Sequence, residues 1–104
     1  MTRNETISRI KQALKTRTGR QWSVSGGRGT AYGWITIKAV AKNAVNKYGE
    51  LTEADRQLLA AVLGLARPVH HQGVSIPDSD DYYQEYIDRA EGRTPAVFGR
   101  PYWD

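Results

Sequence analysis

Hydrophobic residues at the N-terminal end recur at the spacing of an α-helix. Three aliphatic side chains lie three and four residues apart, which places them on one stripe of a helix: Ile7, Ile10 and Leu14. Thr2 and Glu5 have the spacing of a capping box, and Gly19 is suited to the left-handed conformation that ends many helices. The pattern predicts a first helix over about residues 3–17.

The next two runs alternate between apolar and polar residues with the period of two that a β-strand requires. They predict an antiparallel hairpin with one face covered by Trp22, Val24, Ile35 and Ile37. Its other face would then carry Ser23, Ser25, Trp34, Thr36 and Lys38. Trp34 is the one large aromatic side chain of that second face.

The remainder of the chain predicts further helices and a strand. Residues 39–50 permit a short helix, although two asparagines and a glycine weaken the pattern. A stronger helix follows Thr52 and stops before Pro68, with one apolar face formed by Leu58, Leu59, Val62, Leu63 and Ala66. Residues 69–76 predict a short third strand, and residues 80–91 a last helix.

This order of elements predicts an α+β fold. We expect one small domain over residues 1–104, in which an antiparallel hairpin or three-stranded sheet is packed by about three helices. Residues 93–104 hold two prolines and three aromatic residues, so we expect an extended aromatic tail that packs back on the domain.

The last predicted helix has two faces of different character. One carries Tyr82, Tyr83, Tyr86, Ile87 and Ala90, and is interpreted as core or, alternatively, as an aromatic patch for a partner. The other carries Asp80, Asp81, Glu85, Asp88 and Glu91. This acidic face is typical of a solvated helix surface, or of a negative stripe that occupies a basic groove on another protein.

A glycine-rich run, residues 26–33, links the two strands of the hairpin. A Walker A loop needs a Gly-Lys-Ser/Thr ending, and the dinucleotide fingerprint needs a glycine where this chain has Tyr32. Both motifs also lead into a helix, whereas a strand follows here. The run is therefore interpreted as a flexible hairpin tip and not as a nucleotide-binding loop.

Charge is distributed unevenly along the chain. Residues 1–47 hold ten Lys or Arg against the single Glu5, a net charge of +9, whereas residues 48–104 hold five Arg against ten Asp or Glu, a net charge of −5. Either the two halves attract each other within the domain, or the basic half faces phosphates. Both interpretations are compatible with the sequence.

These observations give two hypotheses for function. The first is a nucleic-acid-binding module, in which cations and stacking rings act together: Arg20, Arg28, Tyr32, Trp34 and Lys38 on the hairpin, with Lys11 and Lys15 on the first helix. The second is a protein-interaction or inhibitor module that uses the acidic helix and the tail: Asp81, Glu85, Asp88, Tyr102 and Trp103. In the structural alternative, the glycines only shape a wide turn and Trp34 is covered.

No enzyme, metal or cofactor site is predicted. His70 and His71 are adjacent, and neighbouring side chains of an extended segment point to opposite faces, which disfavours a shared ion. The absence of cysteine excludes disulfides and favours a cytoplasmic protein. The longest apolar run, residues 58–66, is too short to span a bilayer, so no membrane partner is expected. The oligomeric state is left open.

One resemblance rests on short strings. A helix, then Trp-Ser-Val-Ser-Gly-Gly, then Trp-Ile-Thr-Ile, then a capped helix resembles a small domain of phage and plasmid proteins, in the group called large polyvalent protein associated domains. The resemblance covers residues 6–63. It implies a bacterial or phage setting and no known activity, and it assigns no functional residues.

Overall fold

The computed structural model describes residues 2–99 and contains three α-helices and a three-stranded antiparallel sheet. The helices are α1 (Arg3–Thr18), α2 (Glu53–Leu63) and α3 (Asp80–Ala90). The strands are β1 (Trp22–Gly26), β2 (Ile35–Ala39) and β3 (Val74–Ile76), in the spatial order β1-β2-β3. The predicted α+β class, with about three helices on a three-stranded sheet, is confirmed.

Hydroxyl side chains begin the three helices. Thr2 accepts a hydrogen bond from the Glu5 amide, as the capping-box spacing predicts. Thr52 does the same for α2 and Ser79 for α3, each through the amide three residues further on. Each cap satisfies an amide that has no partner within its own helix, which fixes where the helix starts.

One face of the sheet is buried under α1 and α3. Its side chains are those of the predicted hairpin face, Trp22, Val24, Ile35 and Ile37, together with Ala39 of β2 and with Val74 and Ile76 of the third strand. They meet Ile10 and Leu14 of α1 and Ile87 of α3, all fully buried. The outer face keeps partly or largely exposed side chains, so the sheet is two-sided in the way that strand alternation predicts.

The second helix is shorter than predicted. Gly64 follows Leu63 with a φ of +69° and ends α2 in the left-handed conformation, where glycine carries no steric penalty. Ala66 therefore lies beyond the helix and is exposed, and Leu58, within α2, is also exposed, off the buried stripe that contains Leu59 and Leu63. The stop comes from Gly64 and not from Pro68.

The predicted short helix in residues 39–50 is replaced by an irregular loop with one 3-10 turn, Ala41–Asn43. The loop folds back on the sheet, because the Ala39 amide donates to the Gly49 carbonyl (3.1 Å) and Val45 donates to Glu50 (3.0 Å). Gly49 has a φ of +76°, a conformation that favours glycine. The loop therefore returns beside the end of β2.

The third strand covers only the last part of the predicted residues 69–76. His70 and Gly73 form an isolated antiparallel bridge, and a turn between them precedes β3. The rings of His70 and His71 stack with centroids 4.1 Å apart, which corrects the expectation that they point to opposite faces. That expectation assumed an extended backbone, and the turn brings the two rings together.

Candidate nucleic-acid interface

Arginines of the basic half are tied into the fold. The Arg3 guanidinium donates to the carbonyls of Gly27 (3.2 Å) and Tyr32 (2.8 Å). Arg9 pairs with Glu91 at 2.9 Å across α1 and α3. A planar guanidinium with several donors suits such multiple contacts better than an ammonium group does.

Two further arginines bridge helices and the sheet. Arg17 Nη1 donates to three carbonyl oxygens at the ends of α2 and α3, those of Val62 (2.7 Å), Arg89 (3.1 Å) and Ala90 (3.0 Å). Arg20 donates to the buried carboxylate of Asp55, and its guanidinium lies 4.8 Å from the Trp22 ring centroid. Part of the positive charge of the basic half therefore has hydrogen-bond or ion-pair partners inside the domain.

The glycine-rich run is a closed loop fastened to two helices. Its ends are joined by the Gly27 amide, which donates to the Trp34 carbonyl at 2.8 Å. Arg3 of α1 holds one side of the loop, and the Tyr83 hydroxyl of α3 donates to the Gly33 carbonyl from the core side. These contacts anchor both ends of the predicted hairpin tip to the rest of the domain.

The lysines have a different role from these arginines. Eight cations of the basic half have no ion pair within residues 2–99. Arg3 and Arg17 are two of them and donate to backbone carbonyls, and the other six are Lys11, Lys15, Arg28, Lys38, Lys42 and Lys47. Five of the six are exposed and Lys38 is half-buried. No Asp or Glu occurs from Thr6 to Gly49 to neutralise them locally. The surface cations that remain available for an external anion are therefore mostly lysines.

A groove on the outer sheet face brings two of these lysines together. It is lined by Ser23, Lys38, Lys47, Tyr48 and Gly49, with the aliphatic residues 39–41 at its side, and contains no acidic side chain. Lys38 Nζ donates to the Tyr48 carbonyl at 3.2 Å, and Lys47 Nζ lies 5.2 Å from the Tyr48 ring centroid. One lysine thus lies near the ring of Tyr48, and the other is bound to the backbone carbonyl of the same residue.

Hydrogen bonds within the loop after β2 shape this groove. Asn46 Oδ1 accepts from the Tyr48 amide at 3.0 Å, a local turn typical of asparagine. The adjacent acid, Glu50, is occupied by Asn46 Nδ2 at 2.7 Å and by His71 at 3.2 Å. Its carboxylate is therefore engaged away from the two lysines.

A second basic groove lies where α1 meets the start of β1. It is lined by Ser8, Lys11, Gln12, Lys15 and Gln21 and also contains no acidic side chain. Gln21 of this groove directly precedes β1, and Ser23 of the other groove lies two residues further along the chain.

Small hydroxyl side chains cover the outer face between the grooves. Across the strands Ser23 pairs with Lys38, Ser25 with Thr36, and Thr36 with Ser75. Ser25 and Ser75 are exposed, and Thr36 is half-buried. The face is therefore low in relief, uncharged apart from Lys38, and rich in groups that both donate and accept hydrogen bonds.

The predicted hairpin residues do not form one cluster. Arg20 is occupied by Asp55, which removes it from the candidate surface. Tyr32 is 61% exposed, with the Arg3 guanidinium 3.8 Å from its ring centroid. Arg28 is exposed at the loop, whereas Trp34 is half-buried and holds the loop through its backbone. Of the predicted set, Lys11, Lys15 and Lys38 line the two grooves.

The acidic helix is not the open surface that its sequence indicates. Glu85 and Asp88 are 7% and 8% exposed. Glu85 accepts from Arg89 and from the Gly99 amide (2.8 Å), and Asp88 pairs with Arg93 at 2.8 Å. Asp81 is exposed, and Tyr102 and Trp103 lie outside the described residues. Two of the three acids of the predicted partner site are therefore unavailable.

Burial and ion pairing shift the pKa values of two groups that hold α3. The hydrogen bond from Arg93 keeps the pKa of Asp88 below its usual value. Burial, together with the neighbouring Asp78 carboxylate, raises the pKa of Tyr83. Asp88 is thus an ionised structural acid at neutral pH, and Tyr83 a neutral hydrogen-bond donor.

Tyr48 and Lys47 were missed by the sequence-based hypothesis. Residues 39–50 carry an ambiguous helical pattern, and in a helix these two side chains would have no reason to lie beside Lys38. Two features of the sequence could have indicated a basic loop here: the absence of acids up to Gly49, and the turn-forming residues Asn46 and Gly49.

Within residues 2–99 no group of three or more metal-binding side chains is arranged to hold an ion. The same part of the chain has no helix that is both long and apolar enough to cross a membrane. No protein-family model matches the chain, and searches of the curated proteins and of the solved structures return no match. The resemblance to the phage and plasmid domains stays a prediction.

Proposed function

We propose that this protein is a binding module of a bacterial or phage cytoplasm that contacts nucleic acid through the two lysine-lined grooves. The observation that carries the proposal is that the arginines and the lysines of the basic half make different contacts. Four of the five arginines of the basic half bind carbonyl or carboxylate groups of the fold, whereas four of its five lysines line acid-free grooves and none of the five has an ion pair within the described chain. Lysines arranged in this way attract a polyanion along the whole length of the grooves.

Neither groove is lined by an acidic residue, so its lysines are better explained by the binding of an external anion than by a contact within the domain. Surface lysines that only solubilise a domain are usually interspersed with acids. Here both grooves contain lysine pairs and neutral polar groups only: Lys11 and Lys15 in one, Lys38 and Lys47 in the other. The phosphate backbone is the common cellular ligand that provides regularly spaced negative charge.

Fluorescence anisotropy with labelled single-stranded DNA, duplex DNA and RNA, at low and moderate salt, tests the proposal. We expect binding to at least one of them at low salt, with an affinity that falls steeply as salt rises because counterions are released. The double variant Lys38→Gln/Lys47→Gln should bind more weakly and with a shallower salt dependence. Lys38→Arg/Lys47→Arg, which keeps both charges, should retain binding. No binding at low salt to any of the three overturns the proposal.

A further inference from the structure

Resting on the proposed function, we propose that the ligand is single-stranded and that one of its bases stacks on the ring of Tyr48. Tyr48 is 64% exposed, although large aromatic side chains usually bury most of their surface. Tyr48 lines the groove on the outer sheet face, with Lys47 Nζ 5.2 Å from its ring centroid and Lys38 Nζ on its backbone carbonyl. A lysine near an open ring, with a second lysine in the same groove, is a combination that binds a phosphate and its unpaired base together.

The position of this ring is fixed by backbone contacts. The Tyr48 amide donates to Asn46 Oδ1, its carbonyl accepts from Lys38 Nζ, and the next residue, Gly49, accepts from the Ala39 amide. A ring held on a braced loop loses little conformational freedom when a base stacks on it. Lys47 Nζ, 5.2 Å from the ring centroid, lies within the range of a cation–π interaction.

The outer sheet face fits unpaired bases better than a duplex. In a duplex the bases are stacked on each other, so an exposed tyrosine ring at the protein surface has nothing to stack on. The hydroxyls of Ser23, Ser25 and Ser75 can instead exchange hydrogen bonds with the edges of splayed bases. The strand would run from the ring across β1 toward the groove of Lys11 and Lys15.

A comparison of labelled 12-nucleotide single strands, DNA and RNA, with a duplex of the same sequence tests this inference. At equal salt a single strand should bind at least tenfold more tightly than the duplex. Tyr48→Leu should weaken single-strand binding about tenfold, since base stacking on an aromatic residue contributes strongly, and should leave the salt dependence unchanged. Tyr48→Phe, which keeps the ring, should bind within about twofold of the parent protein.

Tyr32→Leu is the matched control, because Tyr32 is similarly exposed at 61% but lies outside both grooves. It should change single-strand affinity by less than about twofold, and circular dichroism should show all three variants folded. Equal binding of single strand and duplex, or an unchanged affinity in Tyr48→Leu, overturns the stacking inference while the nucleic-acid proposal stands. Absence of binding to every probe overturns both.

Discussion

The Arg20 guanidinium donates a hydrogen bond to the buried carboxylate of Asp55 and so joins the start of β1 to the first turn of α2. This contact links the basic half of the chain to the acidic half. Arg20 is one-third exposed, whereas Asp55 is almost completely enclosed. Loss of the arginine would therefore leave a buried carboxylate without its counter-charge.

We expect Arg20→Ala to lower the free energy of unfolding by about 2 kcal/mol, because an unpaired buried charge is costly and Trp22 also loses the cation above its ring. Urea denaturation gives the value. Arg28→Ala is the control: Arg28 is exposed and has no ion pair within residues 2–99, so stability should change by less than about 0.5 kcal/mol. Equal stability of the two variants would contradict the assignment of Arg20 to the fold.

Arg17 should stabilise the domain through the carbonyl groups that it binds at the ends of α2 and α3. Arg17→Gln is expected to lower the free energy of unfolding by about 1–2 kcal/mol, a value reduced by the solvent exposure of the site. Lys15→Gln, on the same helix, removes an exposed charge without a bonded partner and should leave stability unchanged. If both substitutions lower the free energy of unfolding by the same amount, Arg17 acts only through net charge.

Tyr83 fastens the hairpin loop to α3. Its hydroxyl donates to the Gly33 carbonyl, and Tyr83→Phe would leave that buried carbonyl without a partner. The expected loss in free energy of unfolding is about 1–2 kcal/mol. Tyr32→Phe removes an exposed hydroxyl and should be neutral in the same denaturation assay. A neutral Tyr83→Phe would mean that the loop does not depend on this contact.

The ion pair between Asp88 and Arg93 should make stability depend on pH in the acidic range. Since the folded-state pKa of Asp88 is lowered, its contribution is complete above the unfolded value of about 4 and is lost as pH falls through the folded value. Arg93 also pairs with Glu91 at 2.6 Å, and the pKa of Glu91 is lowered too, so Arg93→Gln should be less stable than the parent at pH 6, and the difference should shrink between about pH 4 and pH 2. Urea denaturation at a series of pH values measures this difference.

Arg67→Gln removes the same charge at an exposed site that has no ion pair within the described chain, and should differ little from the parent at any of these pH values. A stability difference for Arg93→Gln that stays constant from pH 6 to pH 2 would contradict the role of Asp88.

Local patterns were sufficient for most of the fold. Thr2 with Glu5, the alternation through Trp22 and Val24, and Thr52 before α2 each satisfy a local rule that tertiary structure did not override. The helix in residues 39–50 failed because Asn46 and Gly49 form turns, whose hydrogen bonds compete with helical ones.

The candidate site was harder to predict because charge alone does not reveal a partner. In the sequence Arg20 and Lys38 are equivalent cations, and only the structure shows one buried against Asp55 and the other beside Tyr48. The acidic stripe of α3 was misjudged for a similar reason. Helical spacing groups Glu85 with Asp88 and also places Arg89 four residues after Glu85, but it contains no information on Arg93 or the segment that returns to Gly99.

Amide chemical-shift mapping tests the central claim most directly. The ¹⁵N-labelled protein would be titrated at low salt with the 12-nucleotide single strand that binds most tightly. We predict that the perturbed amides lie on the outer sheet face and the following loop, at Ser23, Lys38, Lys47, Tyr48 and Gly49, and extend to Gln21, with α3 unaffected. Perturbation concentrated on α3, or none at saturating oligonucleotide, would contradict a nucleic-acid interface on this sheet.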